Sequence, residues 1–288
     1  MSTITRPALR YHGGKFRLTP WVLQFFPPHK AYAEPFGGGA SVLLLKPRCA
    51  AECYNDLDGR VVGFFRVLRD PHKAAELQRR VSLTPYARAE LEWAMLDEAT
   101  DEIDAAHRLV VRSFMGHGSD SATRTTRTGF RARLTEGRAL PSSEWSTWSD
   151  SIPLFRDRLS GVLLDNDDAL PVIKRMDHQN TLIYCDPPYV HATRSAIMNR
   201  RSGTNGYAHE LDDAGHVALA TALQAVKAMV VVSGYPSALY EDLYAGWERH
   251  ERSHTADGGK ARTEVVWLNP ACSSALRSRA GLFSESTA

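Results

Sequence analysis

The amino-acid sequence predicts an α/β protein built on a mostly parallel sheet, and three observations carry that expectation. Short apolar runs alternate with helical patterns through most of the chain, as they do where each strand is followed by a crossover helix. A glycine-rich turn, Glu34-Pro35-Phe36-Gly37-Gly38-Gly39-Ala40-Ser41, closes the first apolar run and opens a helix. A later run, TLIYC at 181–185, ends on Asp186-Pro187-Pro188-Tyr189, so two chemistry-bearing segments stand at strand ends, where open α/β sheets place their ligands.

Taken in order, strands are expected near 31–36, 51–55, 161–165, 181–185, 229–233 and 263–268, and helices over 59–69, 169–176, 212–227 and 237–244. The last strand follows Gly258-Gly259, which suits an antiparallel hairpin partner. Residues 72–158 break the rhythm. Two charged amphipathic patterns, 84–98 and 101–113, lead into a Gly/Ser/Thr/Arg-rich segment and a Trp-containing loop, so this stretch reads as an insertion between two halves of a sheet domain. The expected organisation is therefore a discontinuous domain of residues 1–71 and 159–272, an insertion at 72–158, and a polar tail, 273–288, expected to be disordered.

A chain of 288 residues has ample apolar material for a core. Cys49, Cys53, Cys185 and Cys272 are too few and too irregularly spaced for a disulfide framework or a full zinc site, which fits a reducing, cytoplasmic setting. No apolar run reaches the roughly 18 residues of a membrane span, and the N-terminus lacks the apolar core of a signal peptide; a soluble protein with no membrane partner is expected. The net charge of +2 neither requires nor excludes a polyanionic partner.

In the first turn, Gly37, Gly38 and Gly39 let backbone amides approach a ligand, and the following helix N-terminus favours negative charge. A nucleotide-like cofactor is the natural occupant, the alternative being a strand-to-helix turn with no ligand. Asp56 in Tyr54-Asn55-Asp56-Leu57-Asp58 falls at the end of the second strand, where a carboxylate can take ribose hydroxyls; capping of the next helix is the competing role. After TLIYC, two prolines fix the backbone and leave the Asp186 carboxylate and the Pro187 carbonyl as acceptors for both hydrogens of an amino group. Tyr189 offers a flat face for a base taken out of its duplex. Cys185, as the last residue of a buried strand, is assigned to packing rather than to covalent attack on a cytosine ring. Gly13-Gly14-Lys15 lacks the spacing of a phosphate-binding loop, and the histidines form no ligand set, so no metal is expected.

Arg112, Arg124, Arg127, Arg131, Arg133 and Arg138 face only Asp120 and Glu136 over 112–138, an electrostatic footprint for phosphates. The competing reading is a solvated loop. A second basic loop, Arg194 to Arg201, follows the Asp186 motif and could touch the DNA backbone or close over the base.

Together the motifs resemble the Dam-like, phage-type DNA adenine N6-methyltransferases, class I enzymes dependent on S-adenosylmethionine. The resemblance runs through Arg10-Tyr11-His12-Gly13-Gly14-Lys15, the Glu34–Ala40 turn, Asn55-Asp56, Asn166-Asp167-Asp168-Ala169-Leu170, Asp186–Tyr189, Ser233-Gly234-Tyr235 and Thr263-Glu264-Val265-Val266-Trp267-Leu268-Asn269-Pro270. It implies a Rossmann-like, seven-stranded, mostly parallel sheet with an inserted, mostly helical DNA-recognition domain. It implies S-adenosyl-L-methionine as cofactor, with S-adenosyl-L-homocysteine as product. Tyr11, Lys15 and Glu34, Pro35, Phe36, Gly37, Gly38 and Gly39 would lie at the methionine end, Asp56 at the ribose, and Asp168, or its neighbour Asp167, at the adenine. Asp186, Pro187, Pro188 and Tyr189 would hold the target base, Asp186 also bordering the cofactor. Arg112, Arg124, Arg127, Arg131, Arg133 and Arg194 would contact double-stranded DNA. The setting implied is a bacterial or phage-infected cytosol, with or without a cognate restriction system. Two departures stand out: His12 fills a position that is usually small, and Asp167 one that is often basic. Methylation of the cytosine amino group and a catalytically silent DNA-binding relative are the competing functions.

Overall fold

The computed structural model describes residues 3–96, 99–118, 121–122, 128–133, 140–190, 193, 209–255 and 261–284. Its centre is a seven-stranded sheet in the order β3-β2-β1-β4-β5-β7-β6. The strands are β1 (Ala31–Glu34), β2 (Ala51–Asn55), β3 (Leu163–Asp165), β4 (Thr181–Cys185), β5 (Met229–Gly234), β6 (Glu248–Thr255) and β7 (Ala261–Leu268). The first five pair in parallel, while β7 runs antiparallel to both β5 and β6. Every residue of β4 and β5 is buried, as both faces of a central parallel strand must be. Because the order turns back between β1 and β4, a crevice opens at their carboxyl ends.

The antiparallel partner of β7 is a strand that apolar patterning does not announce, while Gly258-Gly259 between the two lie outside the described residues. Strand β6, ERHERSHT, pairs with β7 from Glu248↔Leu268 to Thr255↔Ala261. Its charges suit an edge, where they discourage pairing with another chain. Strand β1 stops at Glu34, short of the expected 36, since Pro35 has no N–H to continue the ladder.

Helices cover both faces. On one side Val172, Ile173, Leu219, Leu223, Tyr240 and Trp267 belong to a single buried cluster. On the other, Tyr32, Tyr184 and Val231 of the sheet join Phe64, Leu77, Leu109, Phe114 and Trp148, so the helices after β2 share the core of that sheet face. These are α3 (Gly59–Arg69), α4 (Pro71–Leu83), α5 (Arg88–Ala94), α6 (Glu102–Met115), α7 (Pro141–Trp145) and α8 (Ile152–Leu159), preceded in the chain by α1 (Thr19–Val22) and α2 (Ser41–Leu45). Helix α4 lies ahead of the first expected pattern. Asp70 caps it through the amides of His72 and Lys73, with Pro71 in its first turn, and Ala74, Leu77 and Val81 form its buried stripe. Asp58 caps α3 and Asp101 caps α6 in the same way.

The tail expected to be disordered is a helix, Pro270–Ser284. Asn269 anchors it: its Oδ1 accepts from the amides of Val230 and Cys272, and its Nδ2 donates to the Ala228 carbonyl. Cys272 is fully buried. Polar composition conceals the small apolar contact of Cys272, Ala275 and Leu276 with the core. Residues 285–288 lie outside the described residues. Among the described residues no helix is long and apolar enough to cross a membrane, and no group of side chains is arranged to hold a metal ion.

Candidate active site

A cavity of about 240 Å³ opens at the carboxyl ends of β1, β2, β3 and β4, lined by the turns that follow each of them. After β1, Gly37 N donates to Asn55 O at 2.7 Å, and the turn passes so close to β2 that a Cβ on Gly37 would lie 2.1 Å from the Tyr54 ring. Gly38 has φ +47°, which favours glycine. Glu34 points inward, fully desolvated; its Oε2 accepts from Tyr32 Oη at 2.9 Å and from Leu43 N at 3.0 Å. Burial pushes its carboxyl up to about 8 against those two hydrogen bonds, so it enters neutral pH largely protonated.

Asp56 lines the cavity after β2 and organises the turn as well. Its Oδ2 accepts from Gly38 N at 2.7 Å and its Oδ1 from Asp58 N at 2.8 Å. Capping of α3 falls to Asp58, whose side chain accepts from Arg60 N. Burial raises the Asp56 carboxyl. Asn55 locks this end of the cavity, donating to the carbonyls of Pro35 and Asp167 and accepting from Asp167 N. Asp167 and Asp168 both stand on the wall, and Asp168 also caps helix α9 (Ala169–Met176) through Leu170 N. Leu57, Leu170, Leu211 and Leu219 supply an apolar stretch of lining.

The motif after β4 closes the far end. Asp186 and Pro188 line the cavity, whereas Pro187 and Tyr189 do not. Lys15, expected at the methionine end of a cofactor, lines the cavity but turns its Nζ to Asp186 Oδ1 at 2.8 Å and to the carbonyl of Gly13 at 3.1 Å. The same ammonium donates to Tyr189 Oη, which donates onward to Glu264 Oε1 at 2.7 Å. Ser233 Oγ donates to Asp186 Oδ1 at 2.9 Å. The expected open face of Tyr189 is covered: the residue is 6% exposed, with its ring 4.4 Å from that of Tyr235 and 4.7 Å from Lys15 Nζ. Its hydroxyl is tied there on both sides, accepting from Lys15 Nζ and donating to Glu264 Oε1, as a buried polar group requires.

Cys185 is fully buried, and burial raises its thiol far above the range where a thiolate forms. Of the arginines expected on DNA, Arg133 is exposed. Arg131 is tied in place, with its Nη1 3.1 Å from Glu144 Oε2 and its carbonyl accepting from Tyr86 Oη. Arg112 is half-buried on the last turn of α6. Arg124, Arg127, Arg138 and the loop of Arg194 lie outside the described residues.

Sequence reasoning assigned no role to Glu264, Ser233 or the wall segment His209–Leu211. Glu264 left a signal: it is the one charge in the strand TEVVWL, at a position whose alternates, Val266 and Leu268, face the core. Ser233 and Tyr235 flank a glycine at the end of β5, and nothing in that spacing points to Asp186.

A model of the D12 class N6 adenine-specific DNA methyltransferase family matches residues 11–99. The matched segment takes in Tyr11, Lys15, the Glu34–Gly39 turn and Asp56, and ends before Asp186. No curated protein gives a significant match.

Proposed function

We propose that this chain, which resembles the D12 class of N6 adenine-specific DNA methyltransferases over residues 11–99, methylates adenine in DNA, that its methyl donor is S-adenosylmethionine held in the β1–β4 cavity and that its target is an adenine turned out of double-stranded DNA. The observation that carries this reading is the contact between Lys15 Nζ and Asp186 Oδ1. An ammonium is a tetrahedral nitrogen with hydrogens to donate. Its seat marks where a second nitrogen, the amino group of adenine, would find the same acceptor.

The residues of the cavity fit the cofactor. Gly37 and Gly39 bring bare backbone to the cavity wall, Asp56, Asp167 and Asp168 offer acceptors suited to hydroxyl and amino donors, and the leucines suit a flat base. When bound, the cofactor supplies an electrophilic methyl group. The protein supplies orientation and acceptors. Adenine's amino nitrogen is a weak nucleophile because its lone pair is spread into the ring; accepting its hydrogens at Asp186 and the Pro187 carbonyl draws it toward tetrahedral geometry and localises that pair for in-line attack. For this to happen Lys15 must leave Asp186, and the covered ring of Tyr189 must be reached or its neighbours rearranged, so base entry and lysine departure are coupled steps. Arg133, with Arg124, Arg127 and Arg194, would bear on DNA phosphates from the inserted helical segment and the loop after the catalytic motif.

Incubation with labelled S-adenosylmethionine and duplex DNA, followed by nucleoside analysis, tests the reading. Label in N6-methyladenine is expected; label on cytosine, or none with a folded protein and duplex DNA, would contradict it.

A further inference from the structure

Glu264 has no evident structural duty. It is 1% exposed on β7, and among the described residues its side chain has two direct polar partners, both at the Asp186 end of the cavity: Tyr189 Oη at 2.7 Å and Lys15 Nζ at 3.5 Å. Three side chains from two parts of the chain thus surround one ammonium, Asp186 and Tyr189 from the motif after β4 and Glu264 from the antiparallel strand, with the Gly13 carbonyl beside them. Lys15 itself is 4% exposed. A buried ammonium that loses its carboxylate is strongly unfavourable unless another is at hand. That is the situation target binding would create, since the amino group of adenine and Lys15 compete for the same Asp186 oxygen.

We propose that Glu264 is a positioning residue for methyl transfer: it is the second seat of the Lys15 ammonium, receiving it when the target amino group takes Asp186. This rests on the reading of Asp186 as the acceptor for the base. The hydrogen-bonded run from Lys15 through Tyr189 to Glu264 already joins the two seats, so a displacement of less than an ångström in Nζ exchanges a 2.8 Å contact for a closer approach to Glu264. Tyr189 then has a role besides any contact with the base, because its hydroxyl holds Glu264 oriented toward the lysine. The charge state of the second seat follows from its surroundings. Burial and the negative charge of Asp186 push the Glu264 carboxyl up to about 7, opposed by Lys15 and by the Tyr189 hydroxyl; among the described residues Tyr184 and Tyr235, the latter under the guanidinium of Arg262, are further titratable neighbours. An ionised Glu264 receives the ammonium and a protonated one does not, so transfer should quicken as pH rises through about 7.

Single-turnover methylation by Glu264→Gln, Glu264→Asp, Lys15→Gln and the Lys15→Gln/Glu264→Gln double variant provides the test, with cofactor affinity measured by calorimetry. Glu264→Gln keeps an oxygen for Tyr189 but no charge. It is expected to slow transfer at least tenfold with cofactor affinity unchanged within twofold, and to lose the rise in rate near pH 7. Glu264→Asp, which restores a carboxylate, should recover part of the rate and the pH dependence. In the Lys15→Gln background, Glu264→Gln should have less than a twofold further effect, because a residue that acts through Lys15 has nothing left to act on. A wild-type rate and pH profile in Glu264→Gln, or losses that multiply in the double variant, would overturn the proposal. Asp186→Ala separates the two levels: if it transfers at the wild-type rate, the acceptor reading fails; if it is inactive while Glu264→Gln is not slowed, only the second seat fails.

Discussion

At the scale of single residues, the candidate site is built from groups that each do two things. Asp56 binds the amides of Gly38 and Asp58 and faces the cavity, so removing it should weaken the cofactor by about 1–3 kcal/mol, the usual cost of leaving buried polar partners unpaired. Calorimetry on folded Asp56→Ala checks this; unchanged affinity would remove Asp56 from the ribose position. Asp186, Asp56 and the Glu34–Gly39 turn were legible in the sequence because short, rigid strings beside apolar strands mark strand ends. Glu264 was not legible as a functional group. A single charge in a buried strand acquires meaning only from what lies across from it, and Lys15 is 249 positions away in the chain.

At the scale of elements, caps and apolar spacing account for most of what could be read. The expected 59–69 and 169–176 coincide with α3 and α9, each opened by an aspartate whose side chain takes a free amide. Strand β6 and the helix Pro270–Ser284 escaped because their sequences are polar; one is held by the β7 ladder and the other by the side chain of Asn269, contacts that composition does not display. The helices after β2 carry their own pH signature. His107 of α6 is buried against Trp93, with Thr84 Oγ1 2.8 Å from its Nε2, and burial pushes its imidazole down to about 4. Between about pH 4 and 6.5 the unfolded chain therefore holds a proton that the folded chain does not. Its contribution to stability is present above pH 6.5 and is lost as pH falls toward 4, by up to roughly 3 kcal/mol. Denaturant titrations of wild type and His107→Gln at pH 7 and pH 5 should show a smaller loss in the variant; equal losses would place the titrating group elsewhere.

At the scale of the whole molecule, a sheet whose order turns back between β1 and β4 gathers the Glu34–Gly39 turn, the acidic wall and the Asp186 motif at one rim, while the helices after β2 extend the core on one face of the same sheet. That division of labour predicts separable defects. Arg133→Ala should lower DNA affinity and reduce the slope of log affinity against log salt by about one, leaving cofactor binding intact, whereas Arg131→Ala should act less on the slope because Glu144 already neutralises it. Equal slopes for wild type and Arg133→Ala would take that residue off the DNA path. In the proposed mechanism Asp186 accepts hydrogens from the amino group of adenine and transfer is direct. Single-turnover methylation of duplex DNA by Asp186→Ala and Cys185→Ala, with nucleoside analysis of the product, tests both. Asp186→Ala should transfer at least about a hundredfold more slowly while still folding and binding DNA, and Cys185→Ala should keep most of its activity and yield N6-methyladenine; an active Asp186→Ala, a folded but inactive Cys185→Ala, or methyl groups on cytosine carbon would contradict the mechanism.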